Sequence, residues 1–156
     1  MPHPGDAFPD PDILAADSRF ASLHNLRLLL VEDNLINREV ARAFLKPLQL
    51  DIREAETGLQ ALECLQSGAF DAILMDVRMP VMDGLDATRR IRASTAAWRD
   101  IPVVAMTGNV SAAEIDECHD AGMDTHLAKP FRPDALFAAL LEARQRRPYP
   151  AAGHGS

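Results

Sequence analysis

Five short predicted strands alternate along the chain with stretches of helical periodicity, and this alternation restricts the possible folds. The predicted strands are Arg27–Val31, Asp51–Ala55, 72–75, 101–106 and Thr125–Ala128. Strands that alternate with helices predict a parallel sheet, because right-handed crossovers place the helices on both of its faces. The run 72–75 is apolar at every position, as expected for a central strand that is buried on both sides. We therefore predict an α/β fold with a doubly wound parallel sheet.

Local signals predict where the helices begin and end. Asn34 and Ser111 suit N-cap positions, and Glu114 follows Ser111 by three residues, as in a capping box. Pro47 should end or kink the first of these helices, because proline lacks the backbone N–H that a helix interior requires. We expect Asp134 to cap the last helix. A helix between the third and fourth strands has arginines on its predicted solvent face, at positions 89, 90 and 92.

The length of 156 residues predicts one folded domain with short tails. The first residues are rich in proline (Pro2, Pro4, Pro9 and Pro11), so we predict that residues 1–25 are a flexible linker or tail, with a short helix as an alternative over 13–20. Residues 26–146 should form the domain. Residues 147–156 should be a disordered C-terminal tail.

The composition excludes several functional classes. A net charge of −7 argues against nucleic-acid binding, which needs a basic surface. No apolar run approaches the roughly 20 residues that span a bilayer, so we expect no membrane contact by this domain. Cys64 and Cys118 fall in helical patterns. Buried free thiols are the simpler interpretation, and they predict a cytoplasmic location.

Polar side chains that could bind a ligand or take part in a reaction follow four of the five predicted strands. Glu32 and Asp33 follow the first strand, Asp76 the third, Thr107 the fourth and Lys129 the fifth. Each could be a turn former or a solvated side chain if it stood alone. Because ligands bind at the carboxyl ends of strands in open α/β sheets, we expect these side chains to share one pocket.

The chemistry of this set points to phosphoryl transfer. Three converging carboxylates repel each other, so they must bind a cation or take up protons. A site of oxygen ligands suits Mg²⁺, which also accepts phosphate oxygens. Lys129 and Thr107 add a positive charge and a hydroxyl donor, and Asp76 is then the candidate nucleophile for an aspartyl-phosphate.

Four motifs show that the chain resembles the receiver domain of two-component response regulators. They are LLVEDN at 29–34, MDVRMPVMDG at 75–84, IPVVAMTGN at 101–109, and GMD with LAKP within 122–130. The resemblance covers about residues 27–145 and is greatest to receivers of hybrid sensor histidine kinases. It implies a flavodoxin-like (βα)5 fold with strand order 2-1-3-4-5.

The resemblance also implies roles for individual residues. Asp76 would accept a phosphoryl group from a kinase phosphohistidine, and Thr107 and Lys129 would bind the phosphoryl oxygens. The implied Mg²⁺ ligands are Glu32, Asp33, Asp76 and the backbone carbonyl of Arg78. Thr107 and position 126 would act as the switch, changing the surface of the fourth helix, fifth strand and fifth helix of the family fold. The Lys129–Pro130 peptide bond is expected to be cis.

The implied partners are a sensor histidine kinase, in the same chain or another, and a histidine phosphotransfer protein that could receive the phosphate. Such a domain is a self-phosphorylating signalling module with slow autodephosphorylation rather than an enzyme. The chain is expected to be either a single-domain relay protein or a fragment of a hybrid kinase, which would tether it to a membrane sensor, and the linker-like start favours the fragment.

Two positions depart from the family pattern. His126 stands where tyrosine or phenylalanine is commoner, and its charge could bias the switch near neutral pH, although a half-exposed histidine that merely fits is also consistent. Arg78 lies two residues after Asp76 and is expected to overhang the phosphate. We hypothesise that Arg78 shields the phosphate from water, with Asn109 unable to act as a base, so that both residues modulate the phosphate lifetime.

Three other functional classes fit the residues less well. A haloacid dehalogenase-type phosphatase needs a second aspartate where Arg78 stands. A dinucleotide enzyme needs glycines that the segment 31–34 lacks. A receiver-fold binding module that no longer takes phosphate would usually lack one of the pocket residues, all of which are present, although Arg78 and His126 keep this reading open.

Overall fold

The computed structural model describes residues 9–149, and its centre is a five-stranded parallel sheet. The strands are β1 Arg27–Val31, β2 Asp51–Ala55, β3 Ala72–Asp76, β4 Val103–Thr107 and β5 Thr125–Ala128. Their order is β2-β1-β3-β4-β5, and every adjacent pair is parallel. The predicted doubly wound topology is therefore confirmed.

Helices cover both faces of the sheet. They are α1 Pro11–Ala16, α2 Leu35–Leu45, α3 Gly58–Ser67, α4 Gly84–Ala93, α5 Ala112–Ala121 and α6 Pro133–Arg146. One core cluster joins α2 and α6 to the sheet, and a second joins α3, α4 and α5 to its other face. Every residue of β3 is buried between the two clusters, as its apolar sequence predicts. None of the helices in residues 9–149 is long and apolar enough to cross a membrane.

Two of the predicted helix caps are confirmed and one is wrong. The Asn34 side chain accepts a hydrogen bond from the amide of Asn37, and the Ser111 hydroxyl accepts one from the amide of Glu114. In α6, however, Arg132 is the N-cap and has no side-chain capping bond. Pro133 follows as the first helical residue, because its fixed φ suits that position. Asp134 thus lies inside the first turn.

The N-terminal segment corrects the predicted tail, because ordered structure begins well before residue 26. After α1, Ser18–Leu23 forms a 3-10 helix. Phe20 and Leu23 are buried, and the Phe20 ring meets that of Phe137 in α6 edge to face, with centroids 5.4 Å apart. Pro11 does not disrupt α1, since it occupies a first-turn position where its missing N–H costs nothing. The predicted tail at 1–8 lies outside the described residues.

At the other end, α6 stops at Arg146 and the next residue is held to the domain. The Arg147 Nε donates to Asp124 Oδ1 over 2.8 Å. Residues 150–156, which make up most of the predicted C-terminal tail, lie outside the described part of the chain.

Arg92 does not simply solvate the outer face of α4, as the sequence suggested. Its guanidinium donates to the backbone carbonyl of Ile101 over 2.7 Å and to Asp124 over 3.0 Å. It also covers Gly122, which has a φ of +105°. A Cβ at Gly122 would lie 2.6 Å from the Arg92 side chain, so both the backbone conformation and the packing require glycine.

Candidate functional site

Three carboxylates meet at the carboxyl edge of the sheet. Glu32 and Asp33 follow β1, and Asp76 is the last residue of β3. One oxygen from each of the three lies within 4.8 Å of the others. Glu32 and Asp76 are 1% and 4% exposed, whereas Asp33 faces solvent. The structure thus brings together the acidic residues that the sequence predicted to converge.

Lys129 completes this group from the end of β5. Its Nζ lies 2.9 Å from Glu32 Oε1 and 3.0 Å from Asp76 Oδ1. The Lys129–Pro130 peptide bond is cis, as expected. One ammonium therefore bridges two buried carboxylates, and Asp33 remains as an accessible third one.

The two buried carboxylates have opposite pKa shifts. Burial raises the pKa of Asp76, the neighbouring Glu32 raises it further, and Lys129 opposes the rise, leaving a value of about 7. Burial also works against ionisation of Glu32, but hydrogen bonds from Asp76, Lys129 and Asn37 lower its pKa to about 2. A single lysine does not offset the charge of both groups. The pocket consequently favours either a proton on Asp76 or an additional cation.

Glu32 is fixed by residues that sequence reasoning did not assign to the site. The Asn37 side chain donates to Glu32 Oε1 over 3.0 Å, and Arg38 Nη1 donates to the Glu32 backbone carbonyl over 2.8 Å. Arg38 also pairs with Glu54 on β2 at 2.8 Å. Asn37 and Arg38 lie three and four residues after the N-cap Asn34. This position in the first turn of the helix after Glu32 is the sequence signal that places them near the site.

The loop after β3 folds back against Asp76. The Arg78 amide approaches Asp76 Oδ1 at 3.3 Å, and the Gly84 amide donates to the carbonyl of Val77 over 3.0 Å. A Cβ at Gly84 would lie 2.1 Å from the Asp76 carbonyl oxygen. Glycine at this position therefore allows the loop to close with the Arg78 backbone amide beside the Asp76 carboxylate.

Thr107 is bonded away from Asp76 in this structure. Its hydroxyl oxygen lies 2.8 Å from Glu114 Oε2 and 2.9 Å from the carbonyl of Asn109. The hydroxyl has one proton, and the charged carboxylate is the stronger acceptor. Asn109 donates its own amide back to the Thr107 oxygen. Thr107 thus lies at the predicted strand end but bonds to α5.

Glu114 is a site residue whose sequence position predicts only a capping role. In a capping box its side chain would return to the Ser111 amide, but that amide bonds to Asn109 Oδ1 instead. The Glu114 carboxylate is 4% exposed and pairs with the guanidinium of Arg78. Arg78 therefore does not overhang Asp76 as expected, because the buried carboxylate on α5 attracts it. Its effect and that of Asn109 on phosphate lifetime stay predictions.

His126 lies on β5, where buried and exposed positions alternate, and its side chain is exposed. It borders a shallow surface depression with Val110 and with Ala135 and Ala138 of α6. The depression lies between the loop before α5, β5 and α6. The elements α5, β5 and α6 correspond to the predicted fourth helix, fifth strand and fifth helix. The role of His126 in switching stays a prediction.

The doubly wound sheet, with the three carboxylates and Lys129 at its carboxyl edge, defines a signalling domain of the phosphoacceptor type. The chain belongs to the response regulator receiver domain family, whose model matches residues 28–141. The predicted family is therefore confirmed.

Known proteins of this family include receivers of histidine kinases. The chain is 38% identical over 131 residues to a probable histidine kinase of Oryza sativa, and the match covers 72% of this chain but 14% of that protein. It is 40% identical to the receiver domain of a Pseudomonas aeruginosa sensor histidine kinase, with a TM-score of 0.68, covering 79% of this chain and 97% of that one. That receiver holds a magnesium ion in its active-site cleft.

A third comparison is the receiver domain of the Saccharomyces cerevisiae response regulator Ssk1, solved with the histidine phosphotransfer protein Ypd1. Its TM-score is 0.69 at 25% identity, covering 79% of this chain and 92% of that chain. The chain thus corresponds to a whole receiver domain and to a small part of the curated histidine kinases that it matches.

Proposed function

We propose that this receiver accepts a phosphoryl group on Asp76 from the phosphohistidine of a sensor histidine kinase. In this step the nitrogen–phosphorus bond of the donor breaks, and a bond forms from phosphorus to a carboxylate oxygen of Asp76. The observation that carries the proposal is the Lys129 Nζ, 3.0 Å from Asp76 in a pocket lined by two further carboxylates. Lys129 is placed to bind an oxygen of the incoming phosphoryl group.

The donor set fits Mg²⁺. Glu32, Asp33 and Asp76 offer carboxylate oxygens within one small volume, and Arg78 could add its backbone carbonyl. Burial and the neighbouring Glu32 raise the pKa of Asp76 to about 7, and Lys129 alone does not offset this rise. Bound Mg²⁺ would neutralise the charge of these carboxylates and that of the phosphoryl oxygens. The chain's own residues orient the nucleophile: Glu32 is held by Asn37, and Asp76 by Lys129.

The first turns of α2 offer a surface for the histidine-bearing partner. Leu35, Ile36 and Val40 are 57%, 68% and 37% exposed, and they follow directly after the acidic residues of the pocket. Val81, in the loop after Asp76, is 83% exposed. We assign this apolar surface to the part of the partner that surrounds its phosphohistidine, because that histidine must approach Asp76 closely. The complex of the related Ssk1 receiver with Ypd1 supports such a partner.

Phosphorylated Asp76 then has two uses in this proposal. Inward movement of Thr107, with a change at His126, would alter the surface of α5, β5 and α6. Alternatively, the phosphoryl group passes on to a histidine phosphotransfer protein. In either case the domain is phosphorylated once and its aspartyl-phosphate is hydrolysed slowly. It does not turn over a diffusing substrate. The free thiols of Cys64 and Cys118 favour the cytoplasm as its place of action.

Mass spectrometry of the protein incubated with Mg²⁺ and acetyl phosphate tests this function. We expect an adduct of about 80 Da, the mass added by one phosphoryl group. Asp76→Asn should abolish the adduct. Asp86→Asn, a matched change on the exposed first turn of α4, should retain it. An unmodified parent, or an adduct that persists in Asp76→Asn, would show that Asp76 is not the phosphoacceptor.

A further inference from the structure

Glu114 links two residues that flank the phosphorylation pocket. Its Oε2 lies 2.8 Å from the Thr107 hydroxyl, and its Oε1 pairs with the guanidinium of Arg78. The Glu114 side chain is 5% exposed, whereas that of Arg78 is 60% exposed. One buried carboxylate on α5 thus holds a side chain from the end of β4 and another from the loop after β3.

The charges around Arg78 reinforce this position. Glu117 on α5 and Asp83 at the start of α4 also attract the guanidinium. Arg78 therefore lies in a negative field on the α5 side, in addition to its bond with Glu114. Its side chain consequently bonds outside the pocket, although its backbone amide contacts Asp76.

We propose that Glu114 is a positioning residue that keeps the Thr107 hydroxyl away from Asp76 until a phosphoryl group arrives, and that its pairing with the Arg78 guanidinium persists when Thr107 leaves. The inference rests on the proposed phosphorylation of Asp76. For Thr107 to bind a phosphoryl oxygen, its hydroxyl must leave Glu114, since it has only one proton to donate. In the unmodified domain, Glu114 thus opposes the movement of the Thr107 hydroxyl toward Asp76.

Arg78 makes this exchange feasible. When Thr107 leaves, the Glu114 carboxylate loses one hydrogen bond but stays paired with a guanidinium. An unpaired buried carboxylate would be far more costly than the loss of one bond. Arg78 therefore acts through Glu114 and sets how readily Thr107 is released.

Binding of beryllofluoride, a non-covalent mimic of the phosphoryl group, tests the proposal in the presence of Mg²⁺. Glu114→Ala removes both bonds and should tighten binding about tenfold, the scale of one hydrogen bond to a charged group. Glu114→Gln keeps an acceptor for Thr107 and should give a smaller increase. Asp116→Asn, an equal charge change on the exposed face of α5, should leave the affinity unchanged.

Two further readouts separate positioning from a general structural role. In a Thr107→Val background, Glu114→Ala should no longer tighten beryllofluoride binding. In the parent background, the amide NMR resonances of Thr107 and Asn109 in unmodified Glu114→Gln should move toward their beryllofluoride-bound positions. Should Glu114→Ala not fold, the beryllofluoride affinity and the amide resonances of Glu114→Gln test whether Glu114 positions Thr107.

Unchanged affinity and unchanged resonances in the Glu114 variants would overturn the inference, as would an equal gain in the Thr107→Val background. A parent protein that binds no beryllofluoride with Mg²⁺ would instead overturn the proposed function. The two failures are therefore distinguishable.

Discussion

The ammonium of Lys129 lies 3.0 Å from the Asp76 carboxylate and 2.9 Å from that of Glu32, so one cation bridges the ends of three strands. These residues are far apart in sequence, and the parallel register of β1, β3 and β5 places them at one edge. Of the two carboxylates, Asp76 has the raised pKa. The bridge therefore fixes the nucleophile while leaving the site short of positive charge.

Replacing Lys129 by methionine should slow phosphorylation by acetyl phosphate about 100-fold, the scale seen when one preorganised charge-stabilising donor is removed. Methionine retains the length of the chain but cannot bind a phosphoryl oxygen. The rate is measured by intact-mass spectrometry at saturating Mg²⁺. Lys46→Met, an equal change at an exposed position, is the control. A rate in Lys129→Met equal to that of the control would contradict the assigned role.

The stability of the metal-free protein should fall as the pH rises from about 4 to about 7. The pKa of Asp76 is raised from 3.8 to about 7, so its ionisation in this window costs the folded state free energy. The lowered pKa of Glu32 acts below pH 4.5 and adds no slope here. Asp76→Asn should therefore exceed the parent in free energy of unfolding by roughly 1–3 kcal/mol more at pH 8 than at pH 4.5.

Urea unfolding in EDTA at the two pH values measures this difference. Added Mg²⁺ should stabilise the parent at pH 8 more than it stabilises Asp76→Asn. The metal would bind the carboxylates of Glu32, Asp33 and Asp76 only where folding brings them together. Parallel pH profiles of parent and Asp76→Asn would show that Asp76 is not the group responsible.

Asp33→Asn should weaken Mg²⁺ binding by at least about tenfold, because it removes one charged oxygen ligand. Asp33 is exposed, so the substitution should leave the fold intact. Isothermal titration calorimetry with MgCl₂ measures the affinity. Glu39→Gln on the exposed side of α2 provides an equal charge change away from the pocket. Equal losses in the two variants would point to general electrostatics instead of a ligand.

The N-terminal segment should contribute to the stability of the domain. Phe20 is 3% exposed and contacts Phe137, so Phe20→Ala should cost about 3–4 kcal/mol in free energy of unfolding. Ile13, in the same segment, is 71% exposed, and Ile13→Ala should change the stability little. Urea denaturation followed by circular dichroism compares the two. A Phe20→Ala variant as stable as the parent would mean that the segment is not part of the core.

Several features of the fold could be predicted because they depend on local pattern. The apolar run at 72–75 identified the central strand, and Asn34 and Ser111 identified helix starts through their side-chain chemistry. The order of the N-terminal segment depends instead on a contact that is not local. Its prolines suggest disorder locally, but Phe20 packs against Phe137 in α6, a residue that is remote in sequence.

The sequence by itself determined the parallel α/β architecture and the set of acidic, hydroxyl and amine groups at the strand ends, because periodicity and strand termini are local properties. Only the tertiary structure decided how these groups pair. Glu114 bonds to Thr107 and Arg78 rather than to its own helix cap, since a buried carboxylate takes the donors that packing brings within reach. Such choices depend on distances between residues remote in sequence, which no local pattern encodes.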